Sequence, residues 1–150
     1  MFHDLYQAVI LDHYRSPSNT GVIEGAVQVR NDHPSCGDKV VLSVLTDGQT
    51  VTDIRFLGEG CSISQASLSL MTEAVKGRSV AEVRELYAAF RDMIHGHEPD
   101  EELLGDMVAL QGVSRLPARV PCATLGWETL AQVLPLDAPP ADPDPSCGPG

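Results

Sequence analysis

Lys39-Val40-Val41-Leu42-Ser43-Val44-Leu45-Thr46-Asp47-Gly48-Gln49-Thr50-Val51-Thr52-Asp53-Ile54-Arg55-Phe56-Leu57 is the stretch whose reading decides the fold. Residues 39–45 form a nearly continuous apolar run, short enough for a strand and bounded by turn residues, which predicts a central strand. Thr46-Asp47-Gly48-Gln49 carries the Asp-Gly signature of a hairpin turn. Val51 to Leu57 then returns as a further strand. Upstream, Ala26-Val27-Gln28-Val29-Arg30 alternates apolar and polar residues, as a strand with one half-buried face would. The result is a small three-stranded antiparallel sheet.

Outward from the sheet the period changes. After Cys61, the residues Ile63, Ala66, Ser67, Leu70, Met71, Ala74 and Val75 recur at helical spacing, up to a stop at Gly77. Ser79-Val80-Ala81-Glu82 is a capping box that opens a second helix through Val83, Leu86, Tyr87 and Phe90. His95-Gly96-His97-Glu98-Pro99 breaks the chain. Asp100 can cap a shorter helix carrying Leu103, Leu104, Met107 and Val108, and a last helix is expected from about Pro117–Pro121 to Val133. At the other end, residues 3–14 read as an amphipathic helix halted by Ser16-Pro17-Ser18-Asn19. The pattern predicts an α+β domain over 1–136, with the three-stranded antiparallel sheet packed against about five helices. Five prolines fall among residues 139–149, in a Pro- and Asp-rich stretch with little to bury, so 137–150 is expected to be a disordered tail.

The chain has 150 residues and a formal charge of −11, from 21 acidic against 10 basic residues. Such a surface repels a polyanion, so no nucleic acid is expected as a partner. No apolar run approaches the roughly 18 residues of a membrane span, and no secretory signal is visible, so the expected setting is cytoplasmic with no membrane association. Thiols stay reduced there, and cysteines grouped in space are then ligands or nucleophiles rather than disulfides.

Three of the four cysteines sit where elements begin or end, beside glycine or proline: Cys36 in His33-Pro34-Ser35-Cys36-Gly37-Asp38, Cys61 after Gly58-Glu59-Gly60, and Cys122 in Pro117-Ala118-Arg119-Val120-Pro121-Cys122. With Asp38 they make a four-ligand set suited to a tetrahedral metal. Cys61 and Cys122 fall near helix starts, where the dipole and unpaired N–H groups stabilise thiolates. Three crowded thiolates need protons or a cation, and zinc supplies the charge without redox chemistry. Cys147 lies in the tail and is excluded from the set. No Cys-x-x-Cys is present to support a thiol–disulfide exchanger. His3 and His13 read as surface or helix-packing residues, His95 and His97 as solvated loop residues, and Trp127 as a core anchor.

His33-Pro34-Ser35-Cys36-Gly37-Asp38 resembles the Asn-Pro-x-Cys-Gly-Asp motif of the IscU/NifU-N-terminal superfamily of iron–sulfur assembly proteins, with His33 where that motif has Asn. Gly58-x-Gly60-Cys61-x-Ile63-Ser64-x-Ala66-Ser67 is similar to its second cysteine motif, and Leu11-Asp12-His13-Tyr14-Arg15-x-Pro17-x-Asn19-x-Gly21 to its N-terminal signature. The helical insertion from about Gly77 to Pro99 and the third motif, Pro117-Ala118-Arg119-Val120-x-Cys122-Ala123-Thr124-Leu125-x-Trp127, resemble the SufU branch. IscU proteins have a histidine before that cysteine, where this chain has Pro121.

The resemblance implies a protein of iron–sulfur cluster assembly that holds Zn2+ through Cys36, Asp38, Cys61 and Cys122 and docks on a SufS-type cysteine desulfurase. A desulfurase histidine would take over one zinc position and free Cys36 to accept persulfide sulfur, which would pass to a SufBCD-type assembly complex. Arg119 could neutralise the persulfide or contact the partner, and His33 could be a spare ligand or a hydrogen-bond donor behind the ligands. Two alternatives use the same four residues: a scaffold for a transient [2Fe-2S] cluster or iron, and a purely structural zinc domain. The missing histidine and the insertion favour sulfur transfer over the scaffold. The aspartate argues against a structural site, since structural sites favour Cys and His.

Overall fold

The structure, a computed structural model, describes residues 2–33 and 37–134. Cys36, the end of the unit expected at 136, and the tail expected over 137–150 lie outside those residues. Helix α1 (Phe2–Arg15) is followed by strands β1 (Val27–His33), β2 (Asp38–Thr46) and β3 (Val51–Glu59). Helices α2 (Ser62–Val75), α3 (Val80–Ile94), α4 (Glu101–Leu104) and α5 (Val120–Ala131) complete the order, with 3-10 segments at Gly105–Arg115 and Pro117–Arg119. The predicted α+β class, a three-stranded antiparallel sheet packed against about five helices, is the observed one, with five α-helices among the described residues.

Strand β2 is central, and its alternation settles which face carries the core. Val40, Leu42 and Val44 are buried together with Ile54 and Phe56 of β3, whereas Leu45 and Leu57 remain exposed. A one-residue slip would reverse this, so burial fixes the register, which sets Leu42 opposite Val29 and Phe56. The outer edge of β3 is covered. The Gly21 N–H donates to the Phe56 carbonyl at 2.9 Å, and the Phe56 N–H donates to the Asn19 carbonyl at 3.0 Å.

The hairpin differs from its expected form. The connection is Asp47–Thr50, with a register shift at Leu45/Thr46. Asp47 builds it, its carboxylate accepting the N–H groups of Gln49 at 3.1 Å and Thr50 at 2.9 Å. Those two bonds, the Gln49 bond first, hold its carboxyl below the ordinary value of 3.8.

Helix α2 departs from the one-sided pattern its sequence suggests, because Ala66 to Thr72 are all buried. Its hydroxyls are satisfied internally. Ser67 Oγ donates to the Ala123 carbonyl at 2.6 Å, and Thr72 Oγ1 to the Ser69 carbonyl at 2.8 Å. Ser69 Oγ meets His13 Nδ1 at 2.7 Å and accepts the Ser18 N–H at 2.8 Å. His13 is thus a packing residue that fixes α1 to α2. Trp127 is the core anchor expected of it, stacked on Phe90 at 5.5 Å and Tyr87 at 5.8 Å.

The predicted helix after Asp100 is only one turn long. Asp100 does cap it, its carboxylate accepting the Leu103 N–H at 3.2 Å. Gly105 then turns to φ 57°, and the chain continues as a 3-10 segment that buries Met107, Val108, Leu110 and Val113.

Candidate metal centre

Two helix starts and one strand start converge at the end of the sheet. Asp38 is the first residue of β2 and shares the core face with Val40 and Leu42, since alternate residues of a strand face the same side. It is 1 % exposed. Strand β3 ends at Glu59 and α2 begins at Ser62, so Gly60 and Cys61 are the whole connection. Cys61 is the N-cap residue of α2, in extended backbone, and is half-buried. Cys122 is the third residue of α5 and is buried.

One oxygen of Asp38 and the sulfurs of Cys61 and Cys122 all lie within 4.8 Å of one another. Both cysteines are free thiols. Neither α2 nor α5 has a side-chain hydrogen bond at its N-cap, and both cysteines lie within the first turn of their helices, where the helix dipole favours a thiolate. The Cys61 N–H instead donates to Asp38 Oδ1 at 3.1 Å.

Arg119 stands beside this group as the exposed N-cap residue of α5. A hydrogen bond to the Cys122 thiol, with the charges of Cys61 and Cys122 adding to it, raises its guanidinium above its ordinary range. Pro121 occupies the second helical position, where its missing N–H sacrifices no intrahelical bond. His33 ends β1 in register opposite Asp38. Cys36, two residues before Asp38, lies outside the described residues. Asp38 and Cys122 are buried, Cys61 is half-buried and Arg119 is exposed.

Two contributors were not legible as such in the sequence. Ser64 is buried in the first turn of α2, its hydroxyl donating to the Cys61 carbonyl at 3.1 Å. Gly60 has φ 152°, and a β-carbon on it would collide with Asp38 Oδ1 and stand 2.6 Å from Ser64 Oγ. The Gly-x-Gly-Cys spelling signals a tight turn but not a carboxylate resting on it.

The NifU-like N-terminal domain model matches residues 5–132 of this chain. The chain belongs to that family. Family members similar to it include the zinc-dependent sulfurtransferase SufU of Bacillus subtilis (strain 168), 48% identical over 127 residues that cover 84% of this chain and 86% of the relative. The iron–sulfur cluster assembly scaffold protein IscU of Streptococcus pyogenes serotype M1 is 40% identical, covering 87% of this chain and 82% of the relative. Among solved structures, a putative iron–sulfur cluster assembly scaffold protein for the SUF system from Fervidobacterium islandicum AW-1 superimposes with a TM-score of 0.80 at 36% identity. That match covers 88% of this chain and 97% of the other. This NifU-like domain is therefore a member of the SufU/IscU group of iron–sulfur cluster assembly proteins. Among its described residues no helix is long and apolar enough to cross a membrane.

Proposed function

We propose that this protein, with residues 1–136 as its functional unit, is a zinc-dependent sulfurtransferase. It accepts persulfide sulfur from a SufS-type cysteine desulfurase and relays it to a SufBCD-type assembly complex. The observation that carries the reading is the convergence of Asp38, Cys61 and Cys122 within 4.8 Å, in a chain 48% identical to a zinc-dependent sulfurtransferase.

The donor set fits zinc. Two thiols and a carboxylate already meet, and Cys36 supplies the fourth ligand from two residues before Asp38. When bound, zinc holds its thiol ligands deprotonated at neutral pH and brings no redox chemistry of its own. Asp38 keeps its orientation through the Cys61 N–H. The two helix starts and Arg119 offset the negative charge that gathers at the sulfurs.

Cys36 is the acceptor. Its thiolate attacks the terminal sulfur of the desulfurase persulfide, a new S–S bond forms at Cys36, and the donor's S–S bond breaks. The donor cysteine leaves as a thiolate, so no external oxidant or reductant is needed. Delivery to the assembly complex repeats this exchange with Cys36 as the leaving group. In this reading Arg119, whose guanidinium interacts with Cys122 and Cys61, neutralises the persulfide, and His33, the strand residue in register with Asp38, is a spare ligand or a donor behind the ligands.

A second reading has support of its own, since an IscU scaffold is 40% identical over most of its length. There the same four residues hold a transient [2Fe-2S] cluster as cargo. Desulfurase turnover with substoichiometric zinc-loaded, iron-free protein under reductant separates the two. Multi-turnover stimulation that Cys36→Ser abolishes establishes the sulfurtransferase. No stimulation, with a cluster forming once iron is supplied, establishes the scaffold.

A further inference from the structure

We propose that Gly60 is a positioning residue for Asp38: the space left by its absent β-carbon is the seat in which the carboxylate rests before any metal is bound. The inference rests on the reading of Asp38 as a zinc ligand. Gly60 has φ 152°, a backbone conformation open to glycine and strained for other residues. An added β-carbon there would run into Asp38 Oδ1, approach Asp38 Cγ to 2.7 Å, and approach Ser64 Oγ to 2.6 Å. The seat thus has a carboxylate on one side and a buried hydroxyl on the other.

Neither wall is easily moved. Asp38 and Ser64 are each 1 % exposed. Asp38 Oδ1 accepts the Cys61 N–H at 3.1 Å, and Ser64 Oγ donates to the Cys61 carbonyl at 3.1 Å, so one peptide segment holds both. The contrast with Gly58, two residues earlier, isolates the feature. The nearest atoms to a β-carbon on Gly58 would be the far ends of the Leu68 and Gln65 side chains, at 3.1 to 3.3 Å, and its φ is not in the positive region. Gly58 permits packing of flexible side chains, whereas Gly60 permits a buried carboxylate to lie against the backbone beside two thiols. The physical consequence is preorganisation, because a ligand already fixed needs no ordering when the metal arrives.

Zinc affinity, read by competition against a chromophoric chelator, tests this in a double-mutant cycle. Absorption of the cobalt-substituted protein reports the ligand set, and circular dichroism reports folding. Gly60→Ala is expected to weaken zinc about 10- to 100-fold and to alter the cobalt spectrum, while Gly58→Ala leaves both unchanged. In the Asp38→Ala background, where the carboxylate is gone, adding Gly60→Ala should change the affinity by no more than about twofold. Equal losses in both backgrounds would show that Gly60 acts through backbone strain alone and would overturn the proposal. Should Gly60→Ala fail to fold, Asp38→Glu decides. Its carboxylate is one methylene too long for the seat and is expected to weaken zinc as Gly60→Ala would, whereas wild-type affinity and an unchanged cobalt spectrum would overturn the proposal. An Asp38→Ala variant that binds zinc as wild type does would instead remove the metal-site reading itself, and this inference with it.

Discussion

The starts of α2 and α5 deliver one thiol each to the same point by different means. At α2 the cysteine is the N-cap residue itself, reached by a glycine turn, half-buried, with its N–H given to a carboxylate. At α5 the cysteine is the third helical residue, reached through a 3-10 turn and a proline, fully buried, and paired with an arginine. One side of the site is thus built around an anion and the other around a cation. The two starts are locked together farther along, where Ser67 donates to the Ala123 carbonyl and Leu68 packs against the bare Cα of Gly126. Equivalent chemistry at two positions does not require equivalent backbone, provided the helices behind them are fixed to each other.

The largest effect tests that equivalence directly. Cys61→Ser and Cys122→Ser are each expected to weaken zinc by more than about a hundredfold, with the loss as large at the half-buried thiol as at the buried one. Cys36→Ser should match them and Cys147→Ser should bind zinc as wild type does. A mild Cys61→Ser with a severe Cys122→Ser, measured by chelator competition, would break the symmetry of the pair.

Next comes the lock. In Gly126→Ala the new β-carbon would stand 2.6 Å from Leu68 Cδ2 and 3.4 Å from Met71. Either the buried Leu68 side chain shifts or the helices separate, which should lower stability by about 1–3 kcal/mol in thermal or denaturant unfolding. A fall in zinc affinity alongside it would show that the two helix starts moved apart, and an unchanged affinity that Leu68 repacked.

Arg119 sharpens the contrast between the anionic and cationic sides. Arg119→Ala should weaken zinc severalfold without loss of fold, and Arg119→Lys should recover part of that, since the charge returns but the planar fork does not. Identical titrations for wild type and Arg119→Ala would mean that the cationic side plays no part in binding. Pro121→Ala is the smallest change. It restores an N–H where a helix needs none, so stability should shift by less than about 1 kcal/mol and zinc affinity should hold.

The sheet was legible because three signals agreed over 39–57: a strand-length apolar run, a turn signature, and an alternating return. The turn type was less so, because Asp47 caps two N–H groups with its own carboxylate and lengthens the loop. The region after Asp100 reads as helix from Leu103, Leu104, Met107 and Val108, yet Gly105 redirects the backbone and the same side chains are buried from a 3-10 path. In α2 the helical spacing picked out one face, Ile63, Ala66, Ser67, Leu70, Met71, Ala74 and Val75, and left Ser64, Ser69 and Thr72 off it. Ser64, Ser67, Ser69 and Thr72 are buried with partners for their hydroxyls, some of them on α1 and α5, which local periodicity cannot reveal. That Asp38, Cys61 and Cys122 belong together could be read from glycine, proline and cysteine placement. The seat on Gly60 could not, since it depends on a strand 22 residues earlier in the chain.

The enclosure of α2 on all sides also has a kinetic meaning. Backbone amides from Ala66 to Thr72 are surrounded by side chains of α1, α3, α5 and the sheet, so they should open to solvent only when the whole domain unfolds. In a hydrogen–deuterium exchange experiment they would be the last to lose their protons, with or without metal. Cys61 is mounted at the head of this slowest-opening segment, so the lifetime of one wall of the site is tied to the lifetime of the native state itself.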